Sequence, residues 1–107
     1  MTEIVVTTGD QVPGAKAMQV LGVVKGSTVR ARNIGRDIGA GFKNLVGGEI
    51  KTYTEMANNA RDEAFNRMVN QAIDMGANAI IGFRFTTSMI MQGASEMLAY
   101  GTAVKFN

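Results

Sequence analysis

The chain has 107 residues, 46% of them hydrophobic, and a formal net charge of +2 from eleven basic and nine acidic side chains. This length and composition predict one domain over residues 1–107 and exclude a disordered chain. The sequence has no cysteine and no histidine, which excludes disulfides, thiol nucleophiles, imidazole bases and Cys/His zinc sites. No apolar run reaches the roughly 20 residues of a membrane span, and the first residues do not resemble a signal peptide, so we expect a cytoplasmic protein with no membrane contact.

Basic residues are not concentrated strongly enough to indicate a nucleic-acid site. The densest group is Arg30, Arg32, Arg36 and Lys43, and Asp37 interrupts it. Nucleic-acid modules show a continuous basic face, often with exposed aromatic side chains. The sequence therefore predicts no nucleic-acid partner.

The first third of the chain predicts strands. Residues Ile4–Thr8 form a short β-branched run that ends at glycine and proline. Residues Ala17–Ala31 predict two strands divided at Gly26 by a turn or bulge. Alternation in the first of these strands places its apolar residues on both faces, with Met18, Val20 and Val24 on one side and Leu21 and Val23 on the other. Such a strand must be covered on both faces, and one helix covers only one.

Residues 33–48 combine five glycines with five apolar residues at spacings of three and four. This spacing predicts a short amphipathic helix, whose glycines permit close approach of another element. The alternative is a phosphate-binding loop. Because Gly39-Ala40-Gly41 is not followed by the Gly-Lys-Ser/Thr that such a loop requires, packing is the favoured interpretation.

A helix from Tyr53 to Met75 is the clearest predicted element. Thr52 and Glu55 have the spacing of a capping box at its start, and Gly76 is suited to the left-handed cap at its end. Glu63 and Arg67 have the i,i+4 spacing of a helical ion pair. The apolar stripe comprises Tyr53, Met56, Ala57, Ala60, Ala64, Met68, Ala72 and Met75.

The last third predicts a strand at Ala79–Thr86, a turn at Gln92–Ala94 and a strand at Glu96–Phe106. In the final strand one face carries Leu98, Tyr100, Val104 and Phe106. The order of strands, one main helix and strands predicts an α+β fold, a mostly antiparallel sheet with the helix packed across one face.

The predicted strands carry more apolar surface than one helix covers. Large contiguous apolar patches are rare on soluble monomers, and unpaired sheet edges favour association. A symmetric homo-oligomer would bury both kinds of surface. In the alternative interpretation the strand boundaries differ and the surplus is ordinary core.

Spaced blocks along nearly the whole chain resemble the YbjQ family, which is labelled as heavy-metal-binding. The matching blocks are Asn33-Ile34-Gly35-Arg36-Asp37, Val46-Gly47-Gly48-Glu49, Tyr53-Thr54, Ala60-Arg61, Gly76-Ala77-Asn78-Ala79 and Tyr100-Gly101-Thr102-Ala103-Val104. The resemblance implies a small α+β subunit, similar to the dodecin-like arrangement, in a homo-oligomeric ring that is a pentamer or a decamer.

The family label implies a metal ion, but the ligands that soft metals prefer, thiolate and imidazole, are absent. Thioethers are the remaining soft ligands. Met89 and Met91 are expected on the same side of an extended segment, with Met97 opposite, so these three are the candidate metal ligands. The competing interpretation is that they fill core or interface space.

Three classes of function follow: a non-enzymatic binding or scaffold protein, a metal-binding protein and an enzyme, and we favour the first. Catalysis would need an activated carboxylate or tyrosine, and no spacing indicates one. No cofactor is predicted, and a small ligand is an open alternative. Arg84 lies between two phenylalanines, and alternation along the strand predicts that it faces away from both and shares its side with Ile80 and Gly82. If it is buried, it needs a carboxylate such as Glu96. The candidate contacts to a ligand or between subunits are Arg36, Asp37, Glu49, Arg61, Arg84 and Glu96; the competing interpretation makes them salt bridges within the ring.

Overall fold

The computed structural model describes residues 4–31 and 50–107. Its elements are β1 (Val5–Val6), β2 (Met18–Ala31), α1 (Ile50–Asp74), β3 (Ala79–Met91) and β4 (Ala94–Phe106). The strands form one sheet in the order β1-β3-β4-β2, in which β1 runs parallel to β3 and the other pairs are antiparallel. The prediction of an α+β fold is confirmed. The sheet is mixed, and its only parallel pair among the described residues is that of the two-residue β1 with β3. The predicted helix in residues 33–48, together with Arg36, Asp37 and Glu49, lies outside the described residues.

Strand β2 is continuous through Gly26, so the predicted division into two strands is wrong. A Cβ atom at Gly26 would stand less than 3.0 Å from the carbonyl oxygen of Ala64 and the amide nitrogen of Met68. Real Cβ atoms essentially never come this close to backbone. Gly26 therefore marks the place where the helix backbone rests on the strand. Close approach of another backbone, like a bulge, is a common reason for a glycine inside a strand.

A bulge in β2 lies earlier, between Val20 and Gly22, where the register with β4 shifts. The extra residue at a bulge interrupts the alternation of faces. Leu21 and Val24 therefore both pack in the cluster beneath the helix, whereas Met18 packs on the opposite side of the sheet. The predicted grouping of Met18 with Val24 is wrong for this reason.

Helix α1 presents its small residues to the sheet. Among the stripe residues whose burial is described, Ala60, Ala64, Met68 and Ala72 are buried. Three of the four are alanines, which bring the helix axis close to the strands. Because α1 already contains Thr52, that residue is not the N-cap and the predicted capping box is wrong. No helix within the described ranges is long and apolar enough to cross a membrane.

The helix ends as the sequence predicts. Gly76 has a φ of 86°, a conformation that costs glycine little. The amide of Gly76 donates to the carbonyl of Ile73 at 2.9 Å, and the amide of Ala77 donates to the carbonyl of Ala72 at 3.0 Å. These two bonds are those of a Schellman motif. They turn the chain directly into β3.

The sheet has a core on each side. The larger cluster lies between α1 and the sheet and includes Val24, Met68, Ile80, Ala99 and Ala103. The smaller one lies on the far side, where Val12 from the segment between β1 and β2 covers Ala79 and Val104, with Met18 and Phe106 at its margin. The predicted common face of Val104 and Phe106 agrees with this second cluster.

Candidate functional site

Strand β3 contains the bulge that orients the predicted site residue Arg84. The register with β4 shifts between Ile81 and Arg84, and Gly82 within the shift has a φ of 62°. Phe83 consequently packs toward the helix, with its ring edge-on to Phe65 at a centroid distance of 5.4 Å.

Arg84 pairs with Tyr100, whereas Phe85 pairs with the buried Ala99 beneath the helix. The prediction that Arg84 faces away from its phenylalanine neighbours is confirmed. The prediction that Ile80 shares the side of Arg84 is wrong, because the bulge lets Ile80 remain in the core beneath the helix.

The guanidinium of Arg84 is exposed and binds backbone. Its Nη1 atom donates to the carbonyl of Thr8 at 2.9 Å and to that of Phe83 at 2.7 Å. Glu96 lies four residues along β4 from Tyr100, between Val29 and Ser88, so it is not the partner of Arg84. The condition for that pairing, a buried arginine, is not met. Arg84 instead ties the segment after β1 to β3.

The predicted charged residues do not converge on one place. Arg61 lies on the helix and donates to the side-chain oxygen of Asn58, one turn earlier. Arg84 and Glu96 belong to the far face of the sheet and are separated along it. The described members of the set are therefore three separate surface positions, and whether they contact a ligand or another subunit stays a prediction.

An ion network joins the helix to the edge strand. Arg30 Nη2 lies 2.9 Å from Glu63 Oε2, and Arg67 Nη2 lies 2.5 Å from Glu63 Oε1. The hydrogen bond from Arg30, followed by the charge of Arg67, lowers the pKa of Glu63 below its ordinary value. The i,i+4 spacing predicts the Glu63–Arg67 pair, whereas Arg30 is 33 residues distant from Glu63 and carries no local signal.

The candidate thioether ligands lie near the β3–β4 turn. Met89 pairs with Ser95 and Met91 with Ala94, and the register shift between them removes the regular alternation on which the same-side placement depends. Met89 and Met91 are largely exposed, whereas Met97 packs against the core beneath the helix. Among the residues that the structure describes, no three Asp, Glu, His or Cys side chains are grouped to hold a metal.

The far side of the sheet carries a row of large apolar side chains beyond the cover of Val12. We call this row the open face. Its most exposed members are Val23, with 72% of its surface accessible, Val20 with 65% and Val29 with 52%. Register with β4 places Leu98 and Tyr100 beside them. The open face thus comprises Val20, Val23, Val29, Leu98 and Tyr100.

A cavity of about 190 Å³ lies between α1 and the sheet. This is smaller than the 300–1,000 Å³ typical of sites for drug-sized ligands, at roughly two-thirds of the lower limit. Its size suits a small molecule or one side chain. The lining residues are Thr28, Arg30, Ala57, Ala60, Thr87, Ser95, Glu96 and Met97.

Comparisons with known proteins place the chain in a family. A family model described as "Putative heavy-metal-binding" (YbjQ) matches residues 4–107. Similar relatives, each named a UPF0145 protein, come from Methanoculleus marisnigri, with 58% identity over 95% of both chains, and from Thermotoga maritima, with 55% identity over 95% of this chain and 96% of the relative.

A solved structure shares the fold at low sequence identity. It is a protein of unknown function from Pediococcus pentosaceus, with a TM-score of 0.66, 18% identity, and coverage of 97% of this chain and 98% of the other. Both the family match and the relatives span nearly the whole sequence, in agreement with the blocks that carry the resemblance. The chain is a member of the YbjQ family.

Proposed function

We propose that this protein is a non-enzymatic binding or scaffold protein that works as a closed homo-oligomer. The single observation that carries the proposal is the open face. Three valines that are more than half exposed share the sheet surface opposite the helix with Leu98 and Tyr100, and Lys25 and Ser27 lie between Val23 and Val29 on that surface. A patch of this kind marks an interaction surface on a soluble protein.

A second copy of the chain is the occupant that the surface favours. Lys25 and Glu96 carry opposite charges and lie among the apolar residues of the same face. A surface with both charges among apolar side chains can be complementary to a copy of itself or to a neighbouring part of one. Closed symmetry also limits the number of copies in the assembly. A soluble protein with an exposed apolar face requires such a limit, because open-ended association would lead to aggregates. Following the resemblance, we propose a pentameric ring, dodecin-like in its subunit, or a decamer of two rings.

Binding of a small ligand would use the space that such an assembly encloses or the cavity beside Thr28. In that cavity the hydroxyl of Thr28 already donates to the carbonyl of Ala60 at 3.1 Å. The exposed wall is mostly apolar, although the residues that line it include Thr87, Ser95 and Glu96. A small molecule held there would be recognised through its apolar part. Arg30 and Glu96 both line the cavity, so its charged groups are of opposite sign.

The metal-binding alternative has the family description behind it. The residues of this chain do not fit a thiolate or imidazole site, since it has neither cysteine nor histidine. A thioether site would need Met89, Met91 and Met97 to converge. Met97 packs against the core, and the other two are separated by a register shift. We therefore keep oligomeric binding as the proposed function.

Native mass spectrometry of the purified protein, without added metal, tests the proposal. We expect a single pentameric or decameric mass. The variant Val23→Ser/Val29→Ser should shift this mass to that of a monomer, because apolar contacts are lost at two separate points of the open face. Met75→Gln is the matched control, since Met75 is also exposed but lies directly after the helix and not on the open face, and it should keep the wild-type mass.

A wild-type monomer at micromolar concentration would contradict the assembly. An assembly that survives the double substitution would contradict the open face as its interface. Additional mass on the wild-type assembly would identify a bound ligand or ion. A copper(I) titration that is stoichiometric in wild type and lost in Met89→Leu/Met91→Leu would favour the metal alternative instead.

A further inference from the structure

The outer edge of β2 is held by side chains that reach it from the helix. Among the strands of residues 4–31 and 50–107, β2 is the last on its side of the sheet, so its outward backbone groups face away from β4. The amide of Lys25 donates to Gln71 Oε1 at 2.7 Å. The carbonyl of Ser27 accepts from Arg67 Nη1 at 2.5 Å. Both bonds join residues 40 or more positions apart.

These two backbone groups are those that an added strand would use. In an antiparallel ladder the amide and carbonyl of every second residue point to the same side. Lys25 and Ser27 are two residues apart, and both direct their groups outward. An incoming strand that pairs with this part of β2 must therefore replace Gln71 and Arg67 as hydrogen-bonding partners.

Space is not what keeps another strand away. An open depression of about 560 Å³ lies along this part of the edge, and its walls include Lys25, Ser27, Arg67 and Gln71. Since the described part of the chain leaves room beside this stretch of the strand, the obstacle to pairing that it provides is the pair of side-chain hydrogen bonds.

Arg67 also forms an ion pair within the helix. Its Nη2 atom lies 2.5 Å from Glu63, and Glu63 in turn lies 2.9 Å from Arg30 of the same edge strand. Charge-assisted hydrogen bonds are stronger than those between neutral groups. Moving Arg67 off the edge would disturb this ion network as well as the bond to Ser27.

From this geometry we propose that Gln71 and Arg67 form an edge cap that closes β2 to strand addition by a second copy of the chain. Exposed edge strands are a hazard because they template pairing with other chains. In this protein the described strands leave the outer side of β3 unpaired beyond Phe83, so each copy offers a strand that could add to an uncapped β2 of another. Strand addition of that kind joins two different edges, so the resulting assembly need not form a closed ring and can continue to grow.

The role of the edge cap goes beyond the proposed assembly and does not depend on it. The open face lies on one surface of the sheet, whereas the edge cap lies at its rim. A capped edge disfavours open-ended growth at the rim, whichever surface other contacts use.

The experiment compares Gln71→Ala/Arg67→Ala with Asn66→Ala/Asn70→Ala, a control pair of exposed residues on the same helix. Amide hydrogen exchange measured by NMR should show Lys25 exchanging at least about tenfold faster in the cap variant, because its acceptor is gone. Sedimentation velocity should show species larger than wild type that increase with concentration. The control pair should match wild type in both measurements.

Gln71→Glu retains an acceptor oxygen and should keep the wild-type exchange rate at Lys25 and the wild-type mass. Gln71→Ala alone leaves the Arg67–Glu63 pair intact and provides a folded variant if the double one unfolds. Faster exchange without larger species overturns the proposal, as does unchanged exchange. Species smaller than wild type would mean that the two side chains join copies, which also overturns it. Because every variant is compared with wild type, the result stands whatever mass the wild-type protein has.

Discussion

The two faces of the sheet are built from different side chains. Beneath the helix the strands present several buried glycines and alanines, namely Gly26, Ala99, Gly101 and Ala103, beside the larger Val24 and Ile80. On the open face they present valine, leucine and tyrosine, and the valines are largely exposed. Small residues allow the backbone of α1 to rest on the sheet, whereas large ones supply apolar area for a contact. One face is therefore adapted to a helix of the same chain and the other to a partner.

The largest expected effect comes from breaking the close approach beneath the helix. Gly26→Val places a branched side chain against the backbone of α1 at Ala64 and Met68, which cannot yield as a flexible side chain can. Overpacking typically costs about 1–3 kcal/mol, and contact with backbone raises this. We expect a loss of more than about 3 kcal/mol in the free energy of unfolding, measured by urea denaturation.

Gly9→Ala is the control for Gly26→Val. An added Cβ at Gly9 meets only the Thr7 hydroxyl, at an ordinary 3.6 Å. It should leave the urea midpoint close to that of wild type. A Gly26→Val protein as stable as wild type would show that the helix does not rest on β2 as described.

A pair of truncations compares the two faces directly. Met68 is fully buried beneath the helix, whereas Val20 is 65% exposed on the open face. Met68→Ala should cost about 2–5 kcal/mol of unfolding free energy, because it leaves a cavity in the core. Val20→Ala should cost less than about 0.5 kcal/mol, the usual range for surface substitutions.

Both truncations are best measured in the Val23→Ser/Val29→Ser background, so that association does not contribute to stability. Equal losses at the two positions would mean that the open face is part of the subunit's own core. That result would remove the reason to assign it to a partner.

The smallest expected effect concerns the ion network at the rim between the faces. The pKa of Glu63 is lowered in the folded protein, chiefly by its hydrogen bond to Arg30. The ionised carboxylate therefore stabilises the fold above the unfolded pKa of about 4.3, and this contribution is lost as the pH falls through the lower folded value. Glu63→Gln should remove that part of the pH dependence and leave a small, salt-sensitive loss of stability at neutral pH.

The pH dependence is measured as urea midpoints between about pH 2.5 and 7. Glu55→Gln is a suitable control, because Glu55 is exposed on the same helix. If the urea midpoint of Glu63→Gln decreases toward acid pH in the same way as that of wild type, the ion network does not contribute to stability.

Local patterns in the sequence predict much of the helix and its exit. The spacing of Ala60, Ala64, Met68 and Ala72 predicts the buried stripe, and Gly76 predicts the turn into β3. These features depend on residues within a turn or two of one another. The predicted start of α1 is three residues too late. Thr52 and Glu55 have the spacing of a capping box, but this spacing also occurs inside a helix that begins earlier, at Ile50.

Bulges and contacts between residues distant in sequence could not be predicted from local patterns. Whether Gly22, Gly26 or Gly82 interrupts a strand depends on what lies opposite, namely β4 for the bulges and the helix backbone for Gly26. The same holds for Gln71 and Lys25, which are 46 residues apart. Of the candidate site residues, Arg84 was oriented correctly with respect to its phenylalanine neighbours, but its carbonyl partner Thr8 belongs to a loop that no local pattern positions.

The pairing of β1 with β3 has a consequence for the order in which the chain folds. Val5 pairs with Ala79, 74 positions later in the sequence (79 − 5), whereas β3 and β4 are joined by a two-residue turn. Closing so large a loop costs more entropy than closing the hairpin, and the reward is two residue pairs. We therefore expect the N-terminal segment to dock last and to open first, uncovering Ala79 and Val104 while the remaining sheet stays folded.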